Sequence, residues 1–210
     1  MRRKRRLRLI LLLLVLLMAA LLVTARLRFY PMARDLAVTQ VVNRTGNLIN
    51  DAIDEQIKRG TVDYGSMVHL EKGIDGKVTA LKTNIGEINK LKTLILDIVN
   101  EEILELDVDE IGVPVGSLFF PAFFSGSGPL LPVRVLSISS SDASFHNQFS
   151  QAGINQTLHQ IIMEVTVQMT ILTPVGTEQL DVSTEVVVAE TVIVGSVPYS
   201  YLAVDDSKTE

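Results

Sequence analysis

The chain has 210 residues, a formal net charge of −5, no cysteine and no tryptophan. Without cysteine it can form neither disulfides nor thiolate-based metal or catalytic sites. The first eight residues hold six of the 19 basic residues and none of the 24 acidic ones, so residues 9–210 have 13 basic and 24 acidic residues and a net charge of −11. Such an acidic region argues against a nucleic-acid partner, which requires a basic face.

An uncharged apolar run of 17 residues, 9–25, follows the basic N-terminus. A helix of this length spans roughly 26 Å, near the lower limit for crossing a bilayer. Six basic residues precede the run, and Arg26, Arg28 and Arg34 follow it. The positive-inside rule therefore places the N-terminus in the cytoplasm and the rest of the chain outside. We predict a single-pass cell-membrane protein whose basic tail and transmembrane anchor occupy residues 1–30.

A cleaved signal peptide is the alternative interpretation of the same segment. Val23-Thr24-Ala25 forms a passable cleavage site after an apolar run. The run is at or beyond the upper length of such a region, and cleavage after Ala25 would leave Arg26 at the new N-terminus. These two features favour the uncleaved anchor.

Two amphipathic helices are predicted outside the membrane. The first covers residues 32–59 and begins after Pro31, a residue that suits the first turn of a helix. The second runs from 84 to about 104, with Asn84 as its N-cap and Glu87 three residues later. Between them, residues 66–83 resemble a β-hairpin that turns at Asp75-Gly76.

The last third of the chain has the clearest strand pattern. Apolar residues alternate strictly with polar ones from Ile161 to Ile171, which is typical of a strand with one buried face. Residues 131–195 are therefore predicted to form an antiparallel meander of three long strands. A change of parity near residue 135 predicts a β-bulge, and the apolar residues on both faces of 186–194 predict that something covers the outer side there.

The segment before the meander has a weaker pattern. Residues 108–118 are predicted to form a short strand at an edge or a bulge, because Pro114 cannot donate to a sheet. Residues 119–132 are predicted to form an irregular, strongly apolar loop. The predicted fold is thus α+β, with a single transmembrane helix and two amphipathic helices packed on the meander. The predicted boundaries are an extracytoplasmic domain at 31–204 and a polar tail at 205–210.

The residues that could carry chemistry show no catalytic or metal-binding spacing. His69, His146 and His159 lack a metal-ligand motif and are interpreted as surface residues of strands or loops. The glycines near residue 126 lack the lysine of a phosphate-binding loop. We therefore predict no enzyme activity, no catalytic residues, no cofactor and no metal site.

Several strings of residues resemble the YunB family of sporulation proteins from endospore-forming bacteria. They are INDAI at 49–53, GKVTALKTNIGEINKL at 76–91, VPVGSL at 113–118, GPLLPVRV at 128–135, AGINQTLH at 152–159 and AETVIVGSVP at 189–198. The resemblance implies a role in spore formation, with expression in the mother cell and no assigned enzymatic activity. It supplies no functional residues.

The predicted function is a structural or interaction role for a membrane-anchored sporulation protein, with another spore-membrane or envelope protein as partner and no nucleic acid. An exposed apolar loop on an acidic domain is typical of a docking surface. The candidate docking residues are Phe119, Phe120, Phe123 and Phe124. The alternative is a domain that binds lipid or another apolar ligand at the membrane surface, with this loop and residues 186–194 as walls of a groove. A cell-wall hydrolase would need two positioned carboxylates or a metal, which the sequence does not offer.

Overall fold

The computed structural model describes residues 2–61, 63–74, 76, 78–119 and 121–195. The fold is α+β with an N-terminal apolar helix, as predicted. The helices are α1 (Arg2–Lys58), α2 (Tyr64–Met67), α3 (Ile85–Leu104), α4 (Val108–Ile111), α5 (Val115–Phe119) and α6 (Pro121–Phe124). The strands are β1 (Val68–Lys72), β2 (Val78–Thr83), β3 (Val113–Pro114), β4 (Leu130–Leu131), β5 (Arg134–Gly153), β6 (Gln156–Thr173) and β7 (Gly176–Val194).

Helix α1 is continuous over 57 residues and passes through Pro31. The prediction that a separate helix begins after Pro31 is therefore wrong. An interior proline removes one helical hydrogen bond and costs about 3 kcal/mol. The strong helix formers on both sides, a leucine-rich run before Pro31 and an alanine-rich turn after it, offset that cost. Consequently the apolar N-terminal segment and the following amphipathic segment form one helix.

The second part of α1 has one buried stripe. Its buried residues recur at three- and four-residue intervals, as expected for one face of a helix: Ala33, Ala37, Val41, Thr45, Leu48, Ile49, Ala52, Ile53 and Gln56. The predicted apolar face is thus confirmed from Val41 onward. Nearer the apolar N-terminal segment, Ala33 and Ala37 are buried, while the larger Val38 is only partly covered.

The chain divides into two compact units. The first comprises Met1–Arg44, Leu104–Ile138 and Met169–Leu180, and the second comprises Thr45–Ile103, Ser139–Gln168 and Asp181–Glu210. The domain boundaries predicted from the sequence stay predictions.

In the first unit, the start of β7 lies against α1. Arg34 forms an ion pair with Glu178, with 2.6 Å between Nε and Oε1. This hydrogen-bonded arginine lowers the pKa of the Glu178 carboxyl. A Cβ atom added at Gly176 would lie 3.6 Å from the Tyr30 hydroxyl. The part of α1 that contains Tyr30 and Arg34 is therefore close to the start of β7.

The predicted strand over 108–118 is largely wrong. Residues 108–111 form helix α4, and only Val113 and Pro114 are extended, paired with Leu131 and Leu130. Asp107 begins the helix, because its backbone N–H donates to Glu110 Oε2 at 3.3 Å while its carbonyl accepts from Glu110 N–H at 3.0 Å. This reciprocal arrangement resembles a capping box. The predicted irregular loop also contains helix α6 and strand β4.

In the second unit, the predicted hairpin and helix are confirmed. Strands β1 and β2 pair antiparallel, with Val68 opposite Thr83. Asn84 caps α3, since its Oδ1 accepts from the N–H groups of Gly86 at 3.2 Å and Glu87 at 3.4 Å. The buried face of α3 consists of residues one turn apart: Leu91, Ile95, Val99 and Ile103. Ile85, the first residue of α3, lies outside this buried face and is 69% exposed.

The three-stranded meander is confirmed, with the order β5-β6-β7 and two-residue turns at 154–155 and 174–175. Such short turns join antiparallel neighbours. Odd-numbered residues of the central strand β6 are buried from His159 to Thr173, as the alternating pattern requires. Helix α3 contacts β5 within the second unit, where Asn100 Nδ2 donates to Ser141 Oγ at 2.9 Å and Lys92 Nζ donates to Asp142 Oδ1 at 2.6 Å.

Two finer predictions about the strands have different outcomes. Along β5, the residues that are not fully exposed are Val135, Ile138, Ser141, Ala143, Phe145 and Gly153. The covered positions thus change from odd to even and back to odd numbers, although Leu136 is 52% exposed. The predicted bulge itself stays a prediction. The predicted cover over residues 186–194 is not found in the described part of the chain, because Val187, Val192 and Val194 are 42%, 48% and 69% exposed.

Candidate functional site

Three of the four predicted docking residues lie on described helices of the first compact unit: Phe119 ends α5, and Phe123 and Phe124 lie on α6. Phe123 and Phe124 are 84% and 55% exposed, so two aromatic rings of this segment face solvent. Phe120 and the side chain of Phe119 lie outside the described residues. The structure thus places two of the four predicted anchors next to each other on one short helix.

A close backbone approach at Gly116 positions α6 and the turn after it. Gly116 N–H donates to the Ser127 carbonyl at 2.9 Å, and Ser127 N–H donates to the Phe124 carbonyl at 3.0 Å. A Cβ atom at Gly116 would lie 2.2 Å from the Phe124 oxygen and 2.5 Å from the Ser127 oxygen. Ser117 Oγ also accepts from Gly126 N–H at 2.9 Å. Only glycine fits at residue 116 without displacing the carbonyl of an exposed phenylalanine.

A buried histidine cluster in the second unit was not predicted. His159 on β6 is 0% exposed, which contradicts its interpretation as a surface residue, whereas His69 and His146 are exposed as predicted. The Tyr64 hydroxyl lies 2.7 Å from His159 Nδ1, and Asn147 Oδ1 lies 3.0 Å from Nε2. The Phe149 ring stacks on the imidazole with 4.6 Å between centroids and 23° between planes.

The hydrogen bonds assign one tautomer to His159. Asn147 Oδ1 can only accept, so Nε2 carries the proton and Nδ1 accepts from the Tyr64 hydroxyl. Burial lowers the pKa of His159 and raises the pKa of Tyr64, which keeps both groups neutral near pH 7. A buried neutral ring with both nitrogens satisfied has no free lone pair and no access to substrate. Its chemistry is therefore to hold Tyr64, Asn147 and Phe149 in place.

The alternating pattern of β6 was sufficient to predict that His159 is buried. His159 lies in the same alternating register as Ile161 and Met163, and the pattern that predicts their burial also predicts the burial of His159. The partners could not be found in this way, since Tyr64 is 95 residues distant in sequence.

A cavity of about 340 Å³ lies beside this cluster, between the first turns of α3 and strand β5. Its walls are apolar at Ile88 and Phe145 and polar at Lys92, His146 and Asn147. The Lys92 ammonium also holds the pKa of the Asp142 carboxyl below its usual range. The size is at the lower end for a small-molecule site.

The acidic segment that includes Asp107 and Glu110 is engaged in ordinary contacts. Glu110 Oε1 forms an ion pair with Arg44 Nη2 at 2.6 Å, and Glu110 Oε2 caps α4. Among the residues that the structure describes, no group of three or more histidine, aspartate or glutamate side chains is arranged to hold a metal ion.

One family model matches the C-terminal half of the described residues. Residues 110–200 match the family described as Sporulation protein YunB (Spo_YunB). Over these residues the chain is similar to the YunB family. The match includes the exposed phenylalanines and the whole meander, whereas α1 and α3 precede it. No curated protein and no solved structure matches the chain.

The structure brings together, in two pairs, four of the six strings that carry the YunB resemblance. VPVGSL and GPLLPVRV meet in the first unit, where β3 pairs with β4 and Val115 N–H donates to the Pro129 carbonyl at 3.0 Å. AGINQTLH and AETVIVGSVP meet in the second unit, where Gly195 N–H donates to the Asn155 carbonyl at 2.7 Å. Asn155 has a φ of 56°, a left-handed conformation that asparagine tolerates well. The first pair of strings forms the base of the phenylalanine segment.

Proposed function

We propose that this YunB-family protein acts in spore formation as a single-pass membrane protein that captures a protein partner and catalyses no reaction. The family match supports the role in sporulation. The exposed phenylalanines on a backbone fixed by Gly116 support partner capture and carry the proposal.

The anchor is supported by the exposure of the N-terminal part of α1. Within the part of α1 from Ile10 to Lys58, a stretch of 18 residues has a mean hydropathy of 2.7, and none of this stretch is buried in the structure. Twelve large apolar side chains between Ile10 and Val23 are 52–69% exposed. Transfer of such a side chain from water to an apolar phase contributes about 1.5–3 kcal/mol, so insertion of this segment into a bilayer is favoured by tens of kcal/mol. A signal sequence has the same properties.

The orientation follows from the basic residues that flank the apolar run. Six of them precede it, and Arg26, Arg28 and Arg34 follow it. The positive-inside rule then places residues 1–8 in the cytoplasm and the α+β region on the other side of the membrane. Tyr30, which is 43% exposed, is at headgroup depth in this arrangement.

The docking surface is defined as Phe119, Phe120, Phe123 and Phe124. Aromatic side chains contribute strongly to protein interfaces because they bury a large area with few rotatable bonds. The region outside the membrane has a net charge of about −11, so an uncharged aromatic segment differs sharply from its surroundings. A partner with an apolar pocket and a neutral or basic rim fits such a surface.

Lipid binding is the second candidate function. A cavity of about 350 Å³ on α1 is lined by Val23, Leu27 and Pro31 together with Arg26 and Tyr30. On the proposed anchor this cavity is at the membrane boundary, where an acyl chain would contact the apolar residues and a phosphate would contact Arg26. The phenylalanine segment and residues 186–194, which were predicted to line a groove, belong to different compact units.

The test is cross-linking and pull-down from sporulating cells with a variant in which all four phenylalanines are changed to serine. We expect loss of specific captured protein and a lower spore yield, with an unchanged thermal melting curve. The matched control changes four exposed apolar residues elsewhere to serine: Ile74, Ile85, Leu136 and Leu172, which are 111%, 69%, 52% and 43% exposed. This control should capture the partner normally. An identical capture profile for both variants, with phospholipid bound to the purified protein, would favour the second candidate.

A further inference from the structure

The far end of β5 is an exposed sheet edge without charge. β5 is an outer strand of the sheet, and among the described residues it pairs only with β6. All seven residues from 146 to 152 are exposed. Residues 143–153 contain no aspartate, glutamate, lysine, arginine or proline. We call residues 146–152, HNQFSQA, the β5 edge.

The opposite edge of the sheet has a different composition. Strand β7 carries four carboxylates: Glu178, Asp181, Glu185 and Glu190. Charged side chains on an outer strand prevent two edges from pairing, and their absence leaves unpaired N–H and C=O groups available to another strand. Like charges would oppose the pairing of β7 with a second β7, whereas nothing in the β5 edge opposes self-pairing.

The buried histidine holds the β5 edge in an extended conformation. His159 fixes Asn147 through a hydrogen bond of 3.0 Å and stacks on Phe149, so two alternate residues of the edge are attached to the central strand. An edge that is already ordered loses little conformational entropy when a second strand binds. The opposite face of the Phe149 ring is available for a contact, since this side chain is 56% exposed.

We propose that the β5 edge pairs with the β5 edge of a second copy of this chain, so that two three-stranded sheets form one continuous sheet. The neutrality of the edge selects this partner, because two identical segments meet without repulsion and each copy uses the same segment across a two-fold axis. The interface is separate from the four phenylalanines, and the four-serine variant should still form it. Its failure and the failure of the proposed function are therefore distinguishable.

The absence of cysteine allows a direct test. Single cysteines are introduced at each of residues 146–152 in the full chain, purified in detergent micelles and oxidised. Residues opposite each other in paired strands have Cβ atoms about 4.5–5.5 Å apart, close to the distance that a disulfide spans. Because a two-fold axis makes the paired strands antiparallel, we expect disulfide-linked dimers with one maximum along the edge, at the residue nearest the axis. Thr177→Cys and Glu185→Cys on β7 are matched controls and should give little dimer. Equal yields on both strands would overturn the proposal.

A second test adds the charges that the β5 edge lacks. Gln148→Lys combined with Ser150→Lys should raise the dissociation constant of the dimer at least tenfold in sedimentation equilibrium, with an unchanged melting temperature, because both side chains are exposed. Thr177→Lys combined with Gln179→Lys on β7 should leave the dimer intact. A monomeric wild-type chain, or a double-lysine variant that remains fully dimeric, would overturn the proposal. So would a chain that dimerises only after deletion of residues 196–210, since its own C-terminal segment would then compete for the edge.

Discussion

Tyr64→Phe tests whether the His159 cluster stabilises the fold. The variant removes the hydroxyl that donates to His159 Nδ1 at 2.7 Å and leaves a buried acceptor without a partner, because His159 is 0% exposed. An unsatisfied buried group costs about 1–3 kcal/mol. In a protein of this size 1 kcal/mol shifts the melting temperature by about 2–4 °C, so we expect a decrease of about 2–12 °C.

The assay is thermal unfolding of the full chain in detergent micelles, followed by circular dichroism. Tyr30→Phe is the matched control, since Tyr30 is 43% exposed and its variant should lie within about 0.5 kcal/mol of the wild type. Tyr64→Phe combined with His159→Phe removes both polar partners and should recover most of the stability. If Tyr64→Phe melts at the wild-type temperature, the hydrogen bond to a buried imidazole does not contribute as the geometry requires.

The same cluster predicts a dependence of stability on pH. Burial lowers the pKa of His159 below its ordinary value of 6.5. In acid the unfolded chain therefore takes up a proton at this residue before the folded chain does. The contribution to stability is complete above about pH 6.5 and decreases as the pH falls toward the folded-state pKa, with a slope of up to about 1.4 kcal/mol per pH unit. Melting curves of His159→Phe should lack this part of the acid dependence. If the stability of the variant depends on pH in the same way as that of the wild type, other titratable groups cause the dependence.

Three further predictions concern the strand phase, the anchor and the docking surface. Val167→Lys or Ile171→Lys should lower the free energy of unfolding by several kcal/mol, because both residues are 0% exposed. Gln168→Lys should have only a small effect on stability. Equal melting temperatures of these variants would contradict the predicted alternation of buried and exposed residues along β6. Mass spectrometry of protein from cells should find the N-terminal segment still attached, and an N-terminus at Arg26 would instead show cleavage. Gly116→Ala should reduce partner capture although all four phenylalanines are present, since a Cβ would lie 2.2 Å from the Phe124 oxygen. Gly46→Ala is its control, because the atom nearest to a Cβ there is 3.5 Å away. Normal capture by Gly116→Ala would show that the backbone at residue 116 is unimportant for capture.

The long elements were predictable because their local signals agree. The alternation of β6 continues from His159 to Thr173, and Asn84 combines a capping side chain with an apolar stripe that follows it. Such agreement between propensity, pattern and turn chemistry is what makes a segment predictable. The phenylalanine segment was predicted as exposed, and Phe123 and Phe124 are exposed.

The errors occur where two local signals conflict. Pro31 indicates a helix start, but the helix formers on both sides are strong enough to continue through it. Residues 108–118 alternate as a strand does, yet Asp107 and Glu110 form the capping interaction of a helix. For His159, the residue type suggested a surface position and the strand phase required a buried one. Contacts between distant parts of the sequence, such as Tyr64 with His159, have no local signal at all.

The stability of the second unit does not require a polar cluster around His159. Replacing a satisfied buried polar pair with apolar residues of similar shape is often neutral for stability. Valine or isoleucine at residue 159 would continue the pattern of β6. What an aliphatic residue could not do is accept from Tyr64, donate to Asn147 and stack on Phe149 at the same time. Two of these three partners belong to the exposed β5 edge. The cluster therefore orders a surface strand from beneath, and the double variant Tyr64→Phe with His159→Phe should keep the melting temperature while it weakens pairing at that edge.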